Sequence, residues 1–170
     1  MKKITSFSRF YIKLLNLFIP DGPWGDRKRG KIYERYLKSH GKNFKVAAQA
    51  FIYNPNELTV GDNVYIGFNS YLGQGTIELK NEVLIGNFVS ITASNHLMKD
   101  GSYRFGGFEA KSIIIGEGSW IGAHSCILSG TCIGSGVLVA AGSVVTKNLE
   151  DHKIYAGIPA KEMNSEKLKI

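Results

Sequence analysis

Aliphatic residues recur at every sixth position in two long blocks of the chain. The first block is Val60, Ile66, Leu72, Leu79, Ile85 and Ile91, with one extra residue after Leu72; the second is Ile115, Ile121, Ile127, Ile133, Val139 and Val145. The position after each is mostly glycine or alanine, and the position four after it is valine, serine or threonine in ten of the twelve cases. A helical period of 3.6 would spread these classes around a helix, whereas an even period keeps one parity facing inward along a strand. An internal repeat of this kind constrains the fold before any residue propensity does.

Three such units of six residues close a triangular turn of eighteen. Parallel turns stacked about 4.8 Å apart then pair through their backbones, which predicts an all-β parallel β-helix. We expect regular turns at 60–77, 79–96, 115–132 and 133–150, after an irregular first turn at 42–59. The eighteen-residue spacing places Trp120 beside Leu138 and Cys126 beside Val144. Cys126 and Cys132 are six residues apart and so lie on adjacent faces; we expect no disulfide between them and interpret both as small apolar fillers. A β-sandwich is disfavoured because its turn signals come every 8–12 residues.

Residues 97–112 break the repeat and predict a loop extruded from the β-helix. The span from Ile91 to Ile115 is a whole number of hexapeptides, so the register resumes after the loop. A long loop on a rigid scaffold is a common location for function. His96 comes immediately before this loop, next to Ser94 and Asn95, and is the candidate catalytic histidine. The other histidines, His40, His124 and His152, are expected to be solvated surface residues.

The N-terminal segment predicts helices. An apolar stripe at helical spacing, with basic residues off the stripe, consists of Phe7, Phe10, Tyr11, Leu14 and Phe18. This stripe packs on the β-helix or a neighbouring subunit, or it anchors the protein on an acidic membrane surface; the sequence leaves these alternatives open. A second short helix is expected to end at His40, with Gly41 as its terminator. The resulting organisation is a helical segment at 1–41, a β-helix at 42–155, and a tail at 156–170 that forms a short helix.

Composition narrows the function classes. A chain of 170 residues suits one domain, its net charge of +7 favours anionic partners, and it has only two cysteines. No apolar run is long enough to span a bilayer and no secretory signal is evident, so we expect a cytoplasmic protein, at most peripheral at the inner face of the membrane. Nucleic-acid motifs are absent from the central repeat, which disfavours nucleic acid as a partner. His96 and His124 lie 28 residues apart with no third member, so no metal is expected.

Four motifs in order resemble one enzyme family. They are Asn95-His96 before the loop, Ile115-Gly-Glu-Gly-Ser-Trp120-Ile-Gly, Ala141-Gly-Ser-Val-Val-Thr-Lys147 and Ala156-Gly-Ile-Pro-Ala-Lys161. Together with the repeat, over about residues 46–163, they resemble the hexapeptide-repeat acyltransferases, in the sugar O-acetyltransferase branch of the galactoside/maltose and polysaccharide type. The resemblance implies a left-handed parallel β-helix, acetyl-coenzyme A as acyl donor, and a homotrimer with active sites between subunits.

The resemblance also implies roles for individual residues. His96 matches the family's catalytic base, and Asn69 matches an asparagine near the acceptor. The implied coenzyme-binding residues are Trp120, Ala123, Ala141, Thr146, Lys147 and Lys161. Beyond what the resemblance implies for Asn69, we expect acceptor contacts from Tyr71 and Asn95, and from Tyr103 and Arg104 of the extruded loop. Lys161 replaces an arginine common in relatives, and Asn164 stands where a second arginine occurs, so the grip on the coenzyme phosphates differs.

Three functions remain as hypotheses at this point. The preferred one is O-acetylation of a saccharide hydroxyl, in the synthesis of a surface polysaccharide or lipopolysaccharide, with a neutral imidazole as general base. The second is N-acetylation of an amino sugar or an antibiotic-like acceptor on the same scaffold. The third is a non-catalytic β-helical assembly module, which the intact His96 motif disfavours.

Overall fold

The computed structural model describes residues 5–164. Two helices come first, α1 (Ser6–Phe18) and α2 (Pro23–Glu34), and a single 3-10 turn follows later at Pro55–Glu57. The strands, in chain order, are β1 (Ser39–His40), β2 (Lys45–Val46), β3 (Phe51–Ile52), β4 (Leu58–Val60), β5 (Tyr65–Ile66), β6 (Tyr71–Leu72), β7 (Ile77–Leu79), β8 (Leu84–Ile85), β9 (Ser90–Thr92), β10 (Ser94–His96), β11 (Phe108–Ala110), β12 (Ile113–Ile115), β13 (Trp120–Ile121), β14 (Cys126–Leu128), β15 (Cys132–Ile133), β16 (Leu138–Val139), β17 (Val144–Val145), β18 (Ile154–Ala156) and β19 (Lys161–Met163).

Three stacked sheets form the sides of a triangular prism. Sheet A holds β1, β4, β7, β12 and β15; sheet B holds β2, β5, β8, β13, β16, β18 and β19; sheet C holds β3, β6, β9, β14 and β17. The chain visits A, B and C in turn, and all prism strands except β19 pair in parallel. The predicted parallel β-helix is therefore confirmed, as are the predicted pairings of Trp120 with Leu138 and Cys126 with Val144. We name the three edges AB, BC and CA after the sheets that they join.

The predicted aliphatic columns fill the prism. All twelve repeat residues, from Val60 to Val145, are no more than 2% exposed. Burying one such side chain contributes about 1.5–3 kcal/mol, so the twelve column residues stabilise the fold substantially. The buried serines, four residues after the aliphatic positions, form hydrogen bonds at the turns. For example, the Ser119 hydroxyl donates to the Gly134 carbonyl at 2.7 Å and accepts from the Val137 N–H at 3.0 Å.

The two cysteines do not fill the core. Cys126 is half-buried and Cys132 is exposed, and both are free thiols. Their neighbours Ile127 and Ile133 occupy the inward positions, and side chains alternate along a strand, so the cysteines lie on outer faces. The expectation that they are apolar fillers is wrong, because it ignored this parity.

The extruded loop is a β-hairpin at edge CA. Strand β10 pairs antiparallel with β11, and the pair begins at Ser94, three residues before the predicted start at 97. Strand β9 stacks on β14, so Ile91 lies beside Ile127, which is 36 residues away instead of 18. The hairpin is thus an insertion with the sequence length of one turn, and the stack of turns continues across it. His96 belongs to the hairpin itself and not to the last hexapeptide before it.

Helix α2 covers the first turn of the prism. The Arg27 guanidinium donates to the Phe44 carbonyl at 2.9 Å, and Gly30 lies so close to that carbonyl that a β-carbon would not fit. Tyr33 is buried in the same contact. The helix ends at Glu34, so the prediction that it reaches His40 and is terminated by Gly41 is wrong. The Lys38 N–H already donates to the Leu58 carbonyl, because the chain has entered sheet A.

Helix α1 packs on the first turn through its polar side. The Arg9 guanidinium lies 4.7 Å from the Tyr53 ring centre and donates to the Tyr53 carbonyl at 3.0 Å, and the Lys13 ammonium lies 5.2 Å from the Phe51 ring centre. Ile12 is its only buried residue among those described. The predicted apolar stripe therefore does not pack on the prism of its own chain.

The C-terminal tail is extended through Asn164. Strand β19 runs antiparallel to β18 and completes the last edge of sheet B, where unpaired backbone groups would otherwise remain. The predicted C-terminal helix does not form in 156–164, and residues 165–170 lie outside the described part of the chain.

Candidate active site

His96 lies on the first arm of the hairpin at edge CA. It pairs in register with Phe108 of β11, and its side chain is exposed. No residue in 5–164 donates a hydrogen bond to its imidazole or accepts one from it. Asn95, Tyr103 and Arg104, the predicted acceptor contacts of this segment, are exposed on the same hairpin. The hairpin therefore presents an exposed imidazole beside polar and aromatic side chains.

Asn69 lies at edge BC, in the turn between β5 and β6. Its backbone is left-handed, with φ of 54°, a conformation that asparagine tolerates better than most residues. The Asn69 N–H donates to the Ala48 carbonyl of the preceding turn at 3.1 Å. This corner geometry directs the carboxamide to the surface.

The two predicted catalytic residues occupy different edges of one prism. The chain runs from Asn69 along β6 of sheet C before it reaches edge CA, and a face of six residues spans about 20 Å when extended. His96 and Asn69 of the same chain are thus separated by the width of sheet C. Both can contact one small acceptor only if edge BC of one copy faces edge CA of another.

The predicted coenzyme-binding residues divide in the same way. Trp120 lies on the outer face of sheet B, 43% exposed, between Leu84 and Leu138. Ala123 and Ala141 follow at edge BC in consecutive turns, where the Gly142 N–H donates to the Ala123 carbonyl at 2.8 Å. Thr146 and Lys147 instead follow β17 at edge CA, the edge that carries the hairpin.

These residues fit an acyl-coenzyme A. Edge BC carries alanine and glycine and has open space above it: a β-carbon added at Gly142 would meet no other atom within 4 Å. Lys147 and Lys161 are exposed and form no ion pair with the carboxylates of residues 5–164, so both are available for phosphates. Lys161 lies on β19, opposite Ala156.

A cleft of about 600 Å³ lies between the end of α1 and the first turn of the prism. Asn69 is next to it, since the Ala48 carbonyl that it contacts belongs to a lining residue. The polar lining residues are Lys13, Asn16, Asp21 and Gln49. Sequence reasoning missed them, because no motif marks them and the cleft depends on where α1 packs.

Tyr71, a predicted acceptor contact, lies on the outer face of sheet C beside this cleft. Its ring stacks on Phe51 with the centres 6.1 Å apart. Burial raises the pKa of its hydroxyl, Tyr53 raises it further, and Arg9 of α1 opposes the shift. Within residues 5–164, no three histidine, cysteine, aspartate or glutamate side chains are grouped closely enough to hold a metal ion.

Comparisons with known proteins decide the family. The family model described as "Bacterial transferase hexapeptide (six repeats)" matches residues 112–147, and "Hexapeptide repeat of succinyl-transferase" matches residues 57–93. The galactoside O-acetyltransferase of Escherichia coli (strain K12) is 27% identical over 79% of this chain. The chain belongs to the hexapeptide-repeat acyltransferases. The aligned region spans 66% of the length of the galactoside enzyme.

Solved structures of other hexapeptide acyltransferases share the fold. A maltose O-acetyltransferase from Clostridium difficile 630 superposes with a TM-score of 0.79 at 26% identity, over 92% of this chain and 85% of that one. A mutant of AntD, an N-acyltransferase from Bacillus cereus solved with dTDP-4-amino-4,6-dideoxyglucose and coenzyme A, gives a TM-score of 0.64 at 26% identity, over 82% of this chain and 89% of that one. The predicted left-handed parallel β-helix is confirmed as the fold class of this acyltransferase.

Proposed function

We propose that this hexapeptide acyltransferase uses acetyl-coenzyme A to O-acetylate a hydroxyl of a saccharide, in the synthesis of a surface polysaccharide or lipopolysaccharide. The observation that carries the proposal is the extent of the match to the maltose O-acetyltransferase. It covers 92% of this chain, and so includes most of what lies outside the repeat. The match to the N-acyltransferase AntD is less extensive and has the lower TM-score.

His96 is the general base of this proposal. A saccharide hydroxyl is a weak nucleophile until its proton is removed, and an imidazole near neutral pH can both accept and return a proton. The exposed, unbonded ring of His96 can take the hydroxyl proton as the oxygen attacks, and can then deliver it to the leaving thiolate. Bound acetyl-coenzyme A supplies the activated acyl carbon. Asn69 donates a hydrogen bond that positions the acceptor or stabilises the oxygen that gains charge.

The proposed site lies between subunits of a homotrimer. Edge BC carries Asn69, Ala123 and Ala141, whereas edge CA carries His96 and Lys147. An interface that joins two different edges is heterologous, and a ring closes it. Three copies related by a threefold axis close such a ring and make three identical sites, each with residues from two chains.

The acceptor would bind in the cleft beside Asn69 and under the hairpin of the neighbouring copy. Polar side chains such as Asn16, Asp21 and Gln49 offer hydrogen-bond partners for sugar hydroxyls, and Tyr71 offers an aromatic face. The exposed hairpin, with Tyr103 and Arg104, leaves room for a polymer longer than one sugar. Two free thiols suit a reducing compartment, so we place the reaction in the cytoplasm.

N-acetylation of an amino sugar is the second candidate. It is favoured by the likeness to AntD, whose structure holds a dTDP-linked amino sugar. The same geometry serves both reactions, because a neutral amine also loses a proton as it attacks.

A thiol-release assay with acetyl-coenzyme A tests the proposal. Acceptors are offered as matched pairs that differ only in a hydroxyl or an amino group at one carbon. We expect coenzyme A release with the hydroxyl member and a product whose acetyl group hydroxylamine removes, since hydroxylamine cleaves esters and leaves amides intact. An amide product from the amine member alone would establish the N-acetyltransferase instead. Absence of thiol release with every saccharide would contradict both.

A further inference from the structure

Helix α1 presents an apolar face that the rest of its chain leaves uncovered. Phe7 and Phe18 are 78% exposed, Phe10 is 63% exposed and Leu17 is 79% exposed. The opposite side of the helix holds the buried Ile12 and the cations that contact the first turn of the prism. The apolar stripe is exposed because α1 packs on the prism through its opposite side.

Helix α2 extends this surface with an aromatic residue and cations. Trp24 is 61% exposed near the start of the helix, and the Lys28 ammonium lies 5.2 Å from its ring centre. A shallow cleft of about 320 Å³ continues between the helices, and its lining consists of Ile19, Trp24, Lys28, Lys31, Ile32 and Arg35. An aromatic and aliphatic surface bordered by lysine and arginine has the composition of a membrane–water interface.

The charge of the chain is concentrated on the same end. Residues 1–45 contain twelve lysines and arginines and three acidic residues, whereas residues 46–170 contain nine basic and eleven acidic residues. The three acidic residues, Asp21, Asp26 and Glu34, are already paired with Arg27 and Arg29. These carboxylates therefore leave Lys28, Lys31 and Arg35 without an ion pair among residues 5–164, so they can contact an anionic partner.

We propose that α1 and the start of α2 dock this enzyme on the surface of a membrane containing anionic lipid. Neither helix, among residues 5–164, is long and apolar enough to cross a bilayer, so the helices would lie in the interface. A lipid surface satisfies both features at once, because it takes up aromatic side chains and carries negative charge. Self-association through this face would instead bring two strongly basic segments together.

Binding to vesicles tests the proposal with the full chain. We expect co-sedimentation with vesicles of phosphatidylglycerol mixed with phosphatidylcholine, weak binding to phosphatidylcholine alone, and loss of binding at high salt. Phe7→Ser/Phe10→Ser should weaken binding by about tenfold or more. Its control is Phe105→Ser, which changes an aromatic side chain of equal exposure (78%) on the hairpin and should bind as the unchanged protein does.

Two double variants that reverse lysine charges test the electrostatic contribution to membrane binding. Lys28→Glu/Lys31→Glu should weaken vesicle binding, whereas Lys147→Glu/Lys161→Glu, with the same change in net charge at the other end of the chain, should leave binding close to normal. If both double variants lost vesicle binding equally, the effect would depend only on net charge, and the proposed docking surface would be contradicted. So would absence of binding to the anionic vesicles. A changed oligomeric state of Phe7→Ser/Phe10→Ser in light scattering, without vesicle binding, would assign the face to a second copy.

Discussion

Removal of one imidazole is expected to separate chemistry from folding. His96→Ala should lower turnover by about 10²–10⁴-fold, the usual contribution of a general base. Its melting temperature and oligomeric state should stay unchanged, because the ring is exposed and contacts no described side chain through a hydrogen bond. Steady-state kinetics and thermal unfolding measure the two effects on the same preparation.

His40→Ala is the matched control for this change. His40 is also exposed on a strand, β1, but lies on sheet A at the first turn, far along the prism from the hairpin. Its loss should leave turnover within a few-fold of normal. Activity of His96→Ala at the level of His40→Ala would place the base elsewhere.

Single residues of the prism could be predicted well, because the repeat fixes both their spacing and their parity. Ile121 and Val139 are buried and paired as the eighteen-residue spacing requires. The same alternation along the strand places Cys126 on the outer face of the prism, which could not be predicted from the residue type alone. The cleft residues Asn16 and Gln49 carry no such pattern, since they meet only through the packing of α1.

At the scale of elements, a buried tyrosine of α2 is expected to make the stability of the fold depend on pH in the alkaline range. Burial raises the pKa of Tyr33 to about 12, although a hydrogen bond with the Ile52 backbone acts in the opposite direction. The folded state therefore keeps the proton between the unfolded value of 10.0 and about 12, whereas the unfolded chain releases it. Stability should fall as the pH rises through this window, by roughly 3 kcal/mol over the whole shift.

Urea unfolding near pH 9 and near pH 11 measures this dependence. Tyr33→Phe should show a smaller decrease in the free energy of unfolding between the two conditions than the unchanged protein does. Tyr103→Phe, at an exposed tyrosine of the hairpin, should leave the decrease unaltered. An identical decrease in all three proteins would contradict the assignment of Tyr33 as the group that couples α2 to alkaline unfolding.

Boundaries and faces of elements were harder to predict than their existence. The break after Ile91 predicts an excursion, but Ser94, Asn95 and His96 continue the chain as a strand, so the hairpin begins earlier than its loop-like composition suggests. The periodicity of α1 identifies an apolar stripe without saying what covers it. At the C-terminus, pairing with β18 keeps residues 161–163 extended, and a tertiary contact of that kind is invisible in a short segment.

At the scale of the whole molecule, the two ends of the prism carry different features. The basic helices lie at the first turn of the prism, and the coenzyme-binding residues proposed here lie towards its last turns. Periodicity assigns each residue to an edge, but it does not say which edges meet. The proposal that Asn69 and His96 belong to one site rests on the resemblance to the family. Because the two residues are separated on a single chain, the proposal requires a site built from two chains.

Mixing two inactive variants tests this account most directly. His96→Ala and Asn69→Asp, the latter chosen because aspartate tolerates the left-handed backbone, are co-expressed with different affinity tags, and the doubly tagged oligomers are isolated. If each site takes Asn69 from one chain and His96 from its neighbour, every mixed trimer restores one of its three sites, which is about a third of the sites in the isolated oligomers. His96→Ala mixed with the doubly changed chain should restore none. Turnover of the doubly tagged oligomers of the first mixture near a third of normal is the predicted result, and turnover no higher than in the separate variants would contradict a site shared between subunits.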